Sequence, residues 1–174
     1  GVELMGVTEA FAIVTVCAAC LYDVSTSRIP NALTFTAAAL AILFHAFAPS
    51  GSGWNTALLG LFAGLVVFFP LFALGAMGAG DVKLMAAVGT WIGAASILYV
   101  ALYASVAGGM LALVIALRKR YLRQALSNMR MLATYWWVEG VKPLPALTIE
   151  SSQSLRLPYA VAIAAGLAVT LWKR

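Results

Sequence analysis

Long apolar runs separated by short polar connections cover most of the chain. The pattern predicts a first helix from about Val7 to Tyr22, a second from Pro30 to Phe47 and a third from about Thr56 to Leu74. The polar residues 23–29 join the first two helices, and a turn at residues 48–53 joins the next two. A helix that crosses the ~30 Å hydrocarbon core of a bilayer needs ~20 residues. We therefore interpret each run as a membrane span.

The next apolar run is too long for one crossing. Val82 to Leu117 are 36 residues without an acidic member, and as one helix they would extend ~54 Å. We expect two spans with a break near residues 93–96. The first of these, from Val82 to about Gly93, would be only ~18 Å long. Such a short helix begins below the membrane surface, which would submerge the preceding Asp81.

The region after the fifth span has a different pattern. Beyond Arg118, Lys119 and Arg120, apolar residues recur at i, i+3, i+4 and i+7 from Leu122 to Trp136, with basic and polar residues mainly elsewhere on the wheel. This predicts a basic amphipathic helix on the bilayer surface; a solvated loop helix is the alternative. Pro143, Pro145 and Ser151-Ser152 then mark a loop, and a sixth span runs from Pro158 to Leu171 or Trp172.

Composition points to lipid as the solvent. The chain is 63% hydrophobic and 10% charged, whereas soluble domains carry about 25% charged residues. The predicted fold class is all-α: a polytopic integral membrane protein with about six transmembrane helices. We expect a single membrane-embedded domain over residues 1–174, with a cytoplasmic or interfacial loop at about 118–157.

The basic residues predict the orientation. The net charge is +5, but these residues lie at the ends of apolar runs, as in membrane proteins, so we do not expect nucleic-acid binding. With the N-terminus outside, nine lie on the cytoplasmic side and two outside, which satisfies the positive-inside rule. The nine are Arg28, Lys83, Arg118, Lys119, Arg120, Arg123, Arg130, Lys142 and Arg156. The start of the chain lacks a basic signal-peptide region, so we expect the first helix to be retained.

Asp23 and Asp81 are the only aspartates, and the predicted topology places both near the cytoplasmic face. Acidic groups at membrane depth are costly and usually serve a function. Two carboxyl groups a few ångströms apart share one proton, which suits hydrolysis: one takes a proton from water and the other donates to the carbonyl. The alternative is a small proton-coupled transporter or channel that uses the two acids as ion relays.

Two motifs resemble those of a known family. Gly78-Ala79-Gly80-Asp81, extended through Lys83, is similar to the G-x-G-D signature of membrane-embedded aspartic peptidases of the type IV prepilin peptidase family. Asp23 with Arg28-Ile29-Pro30-Asn31 resembles that family's D-x4-R-I-P-N motif. Near the C-terminus, Pro158-Tyr159 resembles a proline-tyrosine segment of the family's last helix.

The resemblance implies an aspartic endopeptidase of the bacterial inner membrane with Asp23 and Asp81 as the catalytic pair. It would cleave prepilins after a glycine that ends a basic leader, on the cytoplasmic face, leaving an apolar helix. No cofactor or metal is expected. Larger members carry a cysteine-containing insert and methylate the product with S-adenosylmethionine. Here seven residues separate Tyr22 from Pro30, so we expect a peptidase-only form similar to those of tight-adherence (Flp-type) pilus systems; methylation is not predicted.

The roles of the other motif residues stay open at this stage. Gly78 and Gly80 would let the backbone turn tightly and approach a substrate. Lys83 either influences the aspartates or extends to the interface, and the second fits its i+2 spacing from Asp81. Arg28 either binds substrate or anchors the chain, and Asn31 either caps a helix or bonds near Asp23. The lone His45 and the pair Cys17 and Cys20 are interpreted as structural.

Overall fold

Seven α-helices account for nearly all of the described chain. The computed structural model describes residues 2–48, 53–75, 77–118, 120, 122–142 and 159–173, with side chains from residue 6 onward. The helices are α1 (Val2–Thr26), α2 (Asn31–Phe47), α3 (Trp54–Ala73), α4 (Ala79–Ile92), α5 (Ala94–Arg118), α6 (Leu122–Glu139) and α7 (Tyr159–Trp172). The expectation of an all-α protein is confirmed.

Three of these helices are long and apolar enough to cross a membrane: Gly6–Thr26, Trp54–Ala73 and Ala94–Arg118. The apolar helices α2 and α7 are shorter, at 17 and 14 residues. The chain is therefore a helical, membrane-embedded protein. The count of six spans and the outside position of the N-terminus stay predictions.

α4 forms the centre of the bundle. Val82 and every residue from Leu84 to Ile92 are buried. Five helices contact α4, and they also contact one another in the order α1, α2, α3, α5, α7 and back to α1. A helix of 14 residues with apolar residues on all sides can bury itself only when other helices enclose it. The enclosing ring also fixes where each end of α4 lies.

Small residues allow α3 to approach α4 closely. Gly60 and Gly64 lie one turn apart on α3, and both are buried. A Cβ on Gly60 would overlap the Gly89 carbonyl oxygen, and one on Gly64 would overlap that of Met85. This is the small-xxx-small packing of membrane helices. The spacing of the two glycines is visible in the sequence, but it does not indicate which helix they approach.

Gly93 separates α4 from α5, as predicted. Its φ of 81° lies in the left-handed region, and its N–H bonds the Gly89 carbonyl oxygen at 2.8 Å. Glycine takes this conformation without a Cβ penalty and commonly ends helices. The long run between Val82 and Leu117 is therefore two helices, and α4 is as short as expected.

α1 extends further than predicted. Asp23 lies in its last turns, because the helix continues to Thr26 before reversing at Ser27, whose φ is 53°. The Ser25 and Thr26 hydroxyls donate to the carbonyls of Leu21 and Tyr22, and this supports the final turn. The polar stretch 23–29 was wrongly predicted to be a connection throughout. Serine and threonine hydroxyls can bond back to the preceding turn within a helix.

α6 agrees with the predicted amphipathic segment, although it ends three residues later, at Glu139. None of its residues is buried, and Met129 and Trp137 are largely exposed. Its location on the bilayer surface stays a prediction. The predicted loop at Pro143, Pro145 and Ser151-Ser152, and the predicted start of the sixth span at Pro158, lie outside the described residues.

Close packing of α3 on α4 predicts that Gly60→Ala destabilises the protein. The added methyl group meets backbone on α4, which cannot rotate away, so overpacking of ~1–3 kcal/mol should exceed the helix-propensity gain of ~1 kcal/mol. The thermal unfolding midpoint in detergent should fall. Gly109→Ala is the control, because no atom lies within 4 Å of its Cβ position. Equal midpoints for the two variants would contradict this packing.

Candidate active site

The first turn of α4 presents Asp81. Gly78 is the N-cap, with extended backbone (φ −74°, ψ 147°), and Asp81 occupies the third helical position. From there its carboxylate hydrogen-bonds back to the Gly78 backbone N–H, as the acidic member of a capping box does. A Cβ on Gly78 would lie 3.2 Å from Asp81 Oδ2. Glycine at this position therefore leaves room for the carboxylate.

Gly80 brings the two motifs together. A Cβ on Gly80 would lie 3.2 Å from the Cβ of Ile29 and 3.6 Å from its backbone nitrogen. Ile29 belongs to the segment between α1 and α2, just before the extended N-cap Pro30 (φ −63°, ψ 134°). The close approach seen at Gly80 is thus to another part of the chain. Its role in substrate approach stays a prediction.

Lys83 and Asn31 form a second link between the motifs. Lys83 Nζ donates to Asn31 Oδ1 at 2.9 Å and lies 5.6 Å from the centre of the Phe35 ring. Asn31 and Phe35 are one turn apart at the start of α2, so the ammonium group of Lys83 contacts both side chains. The structure therefore pairs Lys83 with α2 and gives Asn31 a partner on α4.

Asp23 is partly buried near the end of α1. Its Oδ2 accepts a hydrogen bond of 3.3 Å from the backbone N–H of Ala160. Ala160 is the second residue of α7, where backbone N–H groups have no partner within the helix. The N-terminus of α7 therefore supplies the donor that holds this carboxylate.

The two carboxylates lie at the same end of the bundle and interact electrostatically with each other. The N-termini of α2, α4 and α7 converge there, and helix N-termini carry partial positive charge that favours an acidic group. Tyr159, at the start of α7, also interacts electrostatically with Asp81. Both members of the predicted pair thus lie at one end of the bundle, while their catalytic role stays a prediction.

The side chains around Tyr159 were not predicted from the sequence to belong to this site. Its side chain is hydrogen-bonded to Ser105 of α5, lies against Gly108 and contacts the Phe68 ring edge-on. The only signal in the sequence was the resemblance of Pro158-Tyr159 to a motif. Gly108 does mark close packing, as an apolar helix with adjacent glycines would suggest.

The remaining candidates lie away from the carboxylates or at the surface. Arg28, a member of the first motif, is exposed. His45 is buried at the far end of α2, where its Nε2 lies 3.3 Å from the carbonyl oxygen of Trp91. Cys17 and Cys20 are free thiols on α1. Within the described ranges, no three His, Cys, Asp or Glu residues are grouped so as to hold a metal ion.

The link between α2 and α4 predicts coupled effects of Lys83→Met and Asn31→Ala. Each variant should lower the free energy of unfolding by about 1 kcal/mol, because each removes the same hydrogen bond at a partly exposed position. The double variant should cost little more than either single one, which a double-mutant cycle of thermal unfolding measures. Fully additive effects would show that the two side chains do not act together.

Comparison with known proteins agrees with the motifs. A model of the type IV leader peptidase family matches residues 10–113, a stretch that contains both aspartates. Searches of curated proteins and of solved structures gave no match to the chain. Since the family match covers more than half of the chain and includes both motifs, the protein belongs to the type IV leader peptidase family.

Proposed function

We propose that this peptidase is of the aspartic type and that Asp23 and Asp81 hydrolyse the leader peptide bond of type IV prepilins or pilin-like proteins. The observation that carries the proposal is that the two carboxylates lie at the same end of the bundle, within range of electrostatic interaction. Membership of the leader peptidase family supports a peptidase reaction. The two links between the motifs support a site formed by residues of both motifs.

The chemistry follows from one proton shared by two acids. The ionised carboxylate takes a proton from a water molecule, whose oxygen attacks the scissile carbonyl carbon, while the protonated acid donates to the carbonyl oxygen. The tetrahedral intermediate then collapses: its C–N bond breaks, and the leaving nitrogen takes the proton that the first acid removed from water. A hydroxyl group of the intermediate returns a proton to the second acid, so that a carboxylic acid and an amine remain. The pair ends with one proton, as it began.

The partial burial of the site favours one ionised and one protonated aspartate. Both aspartates are partly buried, so ionising both would place two charges in a poorly hydrated region. Each accepts one backbone N–H, from Ala160 to Asp23 and from Gly78 to Asp81. These donors hold both side chains still, and orientation of this kind lowers the entropic cost of catalysis.

The proposed substrate has a basic leader that ends in glycine, followed by an apolar helix. An apolar helix can approach the site through the bilayer, because the outer faces of α1, α3 and α5 expose large hydrophobic side chains such as Leu21, Val66 and Leu102. The positive-inside distribution supports cleavage on the cytoplasmic face, and the family supports a location in the bacterial inner membrane. The short connection from α1 to α2 favours a peptidase-only form of the Flp type.

Asp23→Asn and Asp81→Asn should each abolish cleavage of a co-expressed prepilin. Loss of an acid–base group typically costs ~10²–10⁴-fold in rate, and asparagine keeps the shape of the side chain. The new N-terminus of the substrate is mapped by mass spectrometry, with membrane levels of each variant measured in parallel. Glu139→Gln, an exposed acid on α6, is the matched control and should cleave normally.

Persistent cleavage in either aspartate variant would contradict the catalytic pair. If wild-type protein in proteoliposomes instead moved protons or ions, and the same substitutions stopped that flux without cleavage in any sample, the transporter alternative would replace the peptidase proposal.

A further inference from the structure

Tyr159 lies between the carboxylate pair and α5, and three contacts fix its ring. The Phe68 ring meets it edge-on, with centroids 5.9 Å apart and planes at 89°. On another side it lies against Gly108, where a Cβ would be 2.8 Å from Tyr159 Cε2 and 3.2 Å from the hydroxyl oxygen. The Tyr159 ring can lie here only because residue 108 is a glycine.

The third contact is a hydrogen bond between the side chains of Tyr159 and Ser105. The Ser105 hydroxyl also donates to the carbonyl oxygen of Ala101 at 2.8 Å, which ties this side chain to its own helix, α5. Tyr159 is therefore connected to α5 at its hydroxyl group as well as at its ring.

The residue after Tyr159 supplies the donor to Asp23. Tyr159 and Ala160 are consecutive in the first turn of α7, and the Ala160 N–H reaches Asp23 Oδ2 at 3.3 Å. The first turn of a helix lacks the i−4 hydrogen bonds that hold later turns, so its position depends on outside contacts. The contacts of Tyr159 are such contacts.

We propose that Tyr159 is a positioning residue: held by Ser105, Gly108 and Phe68 on the neighbouring helices, it fixes the first turn of α7 so that the Ala160 N–H stays on the Asp23 carboxylate. The catalytic consequence rests on the proposed function, whereas the structural link does not. In this role Tyr159 acts through the backbone of its neighbour.

The structural link is tested by the amide exchange rate of Ala160. It is measured by NMR on protein labelled with 15N-alanine in lipid nanodiscs. Tyr159→Phe removes the bond to Ser105, and Gly108→Ala pushes the ring aside while keeping its hydroxyl. Both should speed exchange at Ala160 roughly 3- to 10-fold, the equivalent of one hydrogen bond. Tyr99→Phe and Gly109→Ala on α5 are the matched controls. Tyr99 is exposed, and no atom lies within 4 Å of the Cβ position of Gly109.

The catalytic consequence is tested by kinetics on the same variants. In Tyr159→Phe and Gly108→Ala, kcat should fall roughly 3- to 10-fold with KM unchanged, since misplacing Asp23 affects the reaction more than substrate binding. Ser105→Ala should reproduce the Tyr159→Phe effect, and the double variant should add nothing further. A loss of packing alone would lower the unfolding midpoint without these matched, non-additive effects.

The outcomes separate this inference from the proposed function. Unchanged Ala160 exchange in Tyr159→Phe and Gly108→Ala overturns the inference, whether or not the protein cleaves prepilin. If exchange in the variants responds as expected but the wild-type protein does not cleave prepilin, the structural link is supported and the peptidase proposal is wrong. Cleavage that is unaffected by the substitutions while exchange responds overturns the positioning role in catalysis.

Discussion

The contact between the segment before α2 and the first turn of α4 determines where the carboxylates lie. Gly80 lets Ile29 approach the backbone of α4, and Lys83 reaches across to Asn31 one turn further along. Both contacts join residues from motifs that are far apart in the sequence. Asp81 belongs to the same helical turn as Gly80 and Lys83, so these contacts hold it at the end of the bundle where Asp23 lies. The site therefore follows from a packing contact as much as from the acids themselves.

The remainder of the bundle serves to keep that contact in register. α4 is enclosed by five helices, and Gly60 on α3 meets Gly89 near its other end. Shifting α4 along its axis would break this backbone contact and the Lys83 bond at the same time. α7 packs against α1 and α5, and its first turn donates a hydrogen bond to Asp23. One short buried helix thus has its position fixed at both ends.

Much of this arrangement could be predicted from local sequence features. The apolar runs predicted the helices, and the length of the run after Asp81 predicted the break that Gly93 makes. The two motifs predicted that Asp23 and Asp81 form a pair, but they did not identify the partner of Lys83. Helix geometry indicated only that Lys83 and Asp81 face apart. Contacts such as that of Tyr159 with Ser105 join helices that are far apart in the sequence. A local sequence pattern does not indicate which turns of such helices come into contact. The end of α1 was misplaced because hydroxyl side chains favour both connections and final helical turns.

Disulfide formation between positions 29 and 80 tests the central contact most directly. The Cβ positions of Ile29 and Gly80 lie 3.2 Å apart, close to the ~3.8 Å of disulfides. In a Cys17→Ala, Cys20→Ala background, Ile29→Cys with Gly80→Cys should oxidise nearly completely in native membranes, as measured by loss of alkylation in mass spectrometry. Ile29→Cys paired with Gly109→Cys should stay reduced. Two freely alkylated thiols at 29 and 80 would contradict the meeting of the motifs, and with it the site.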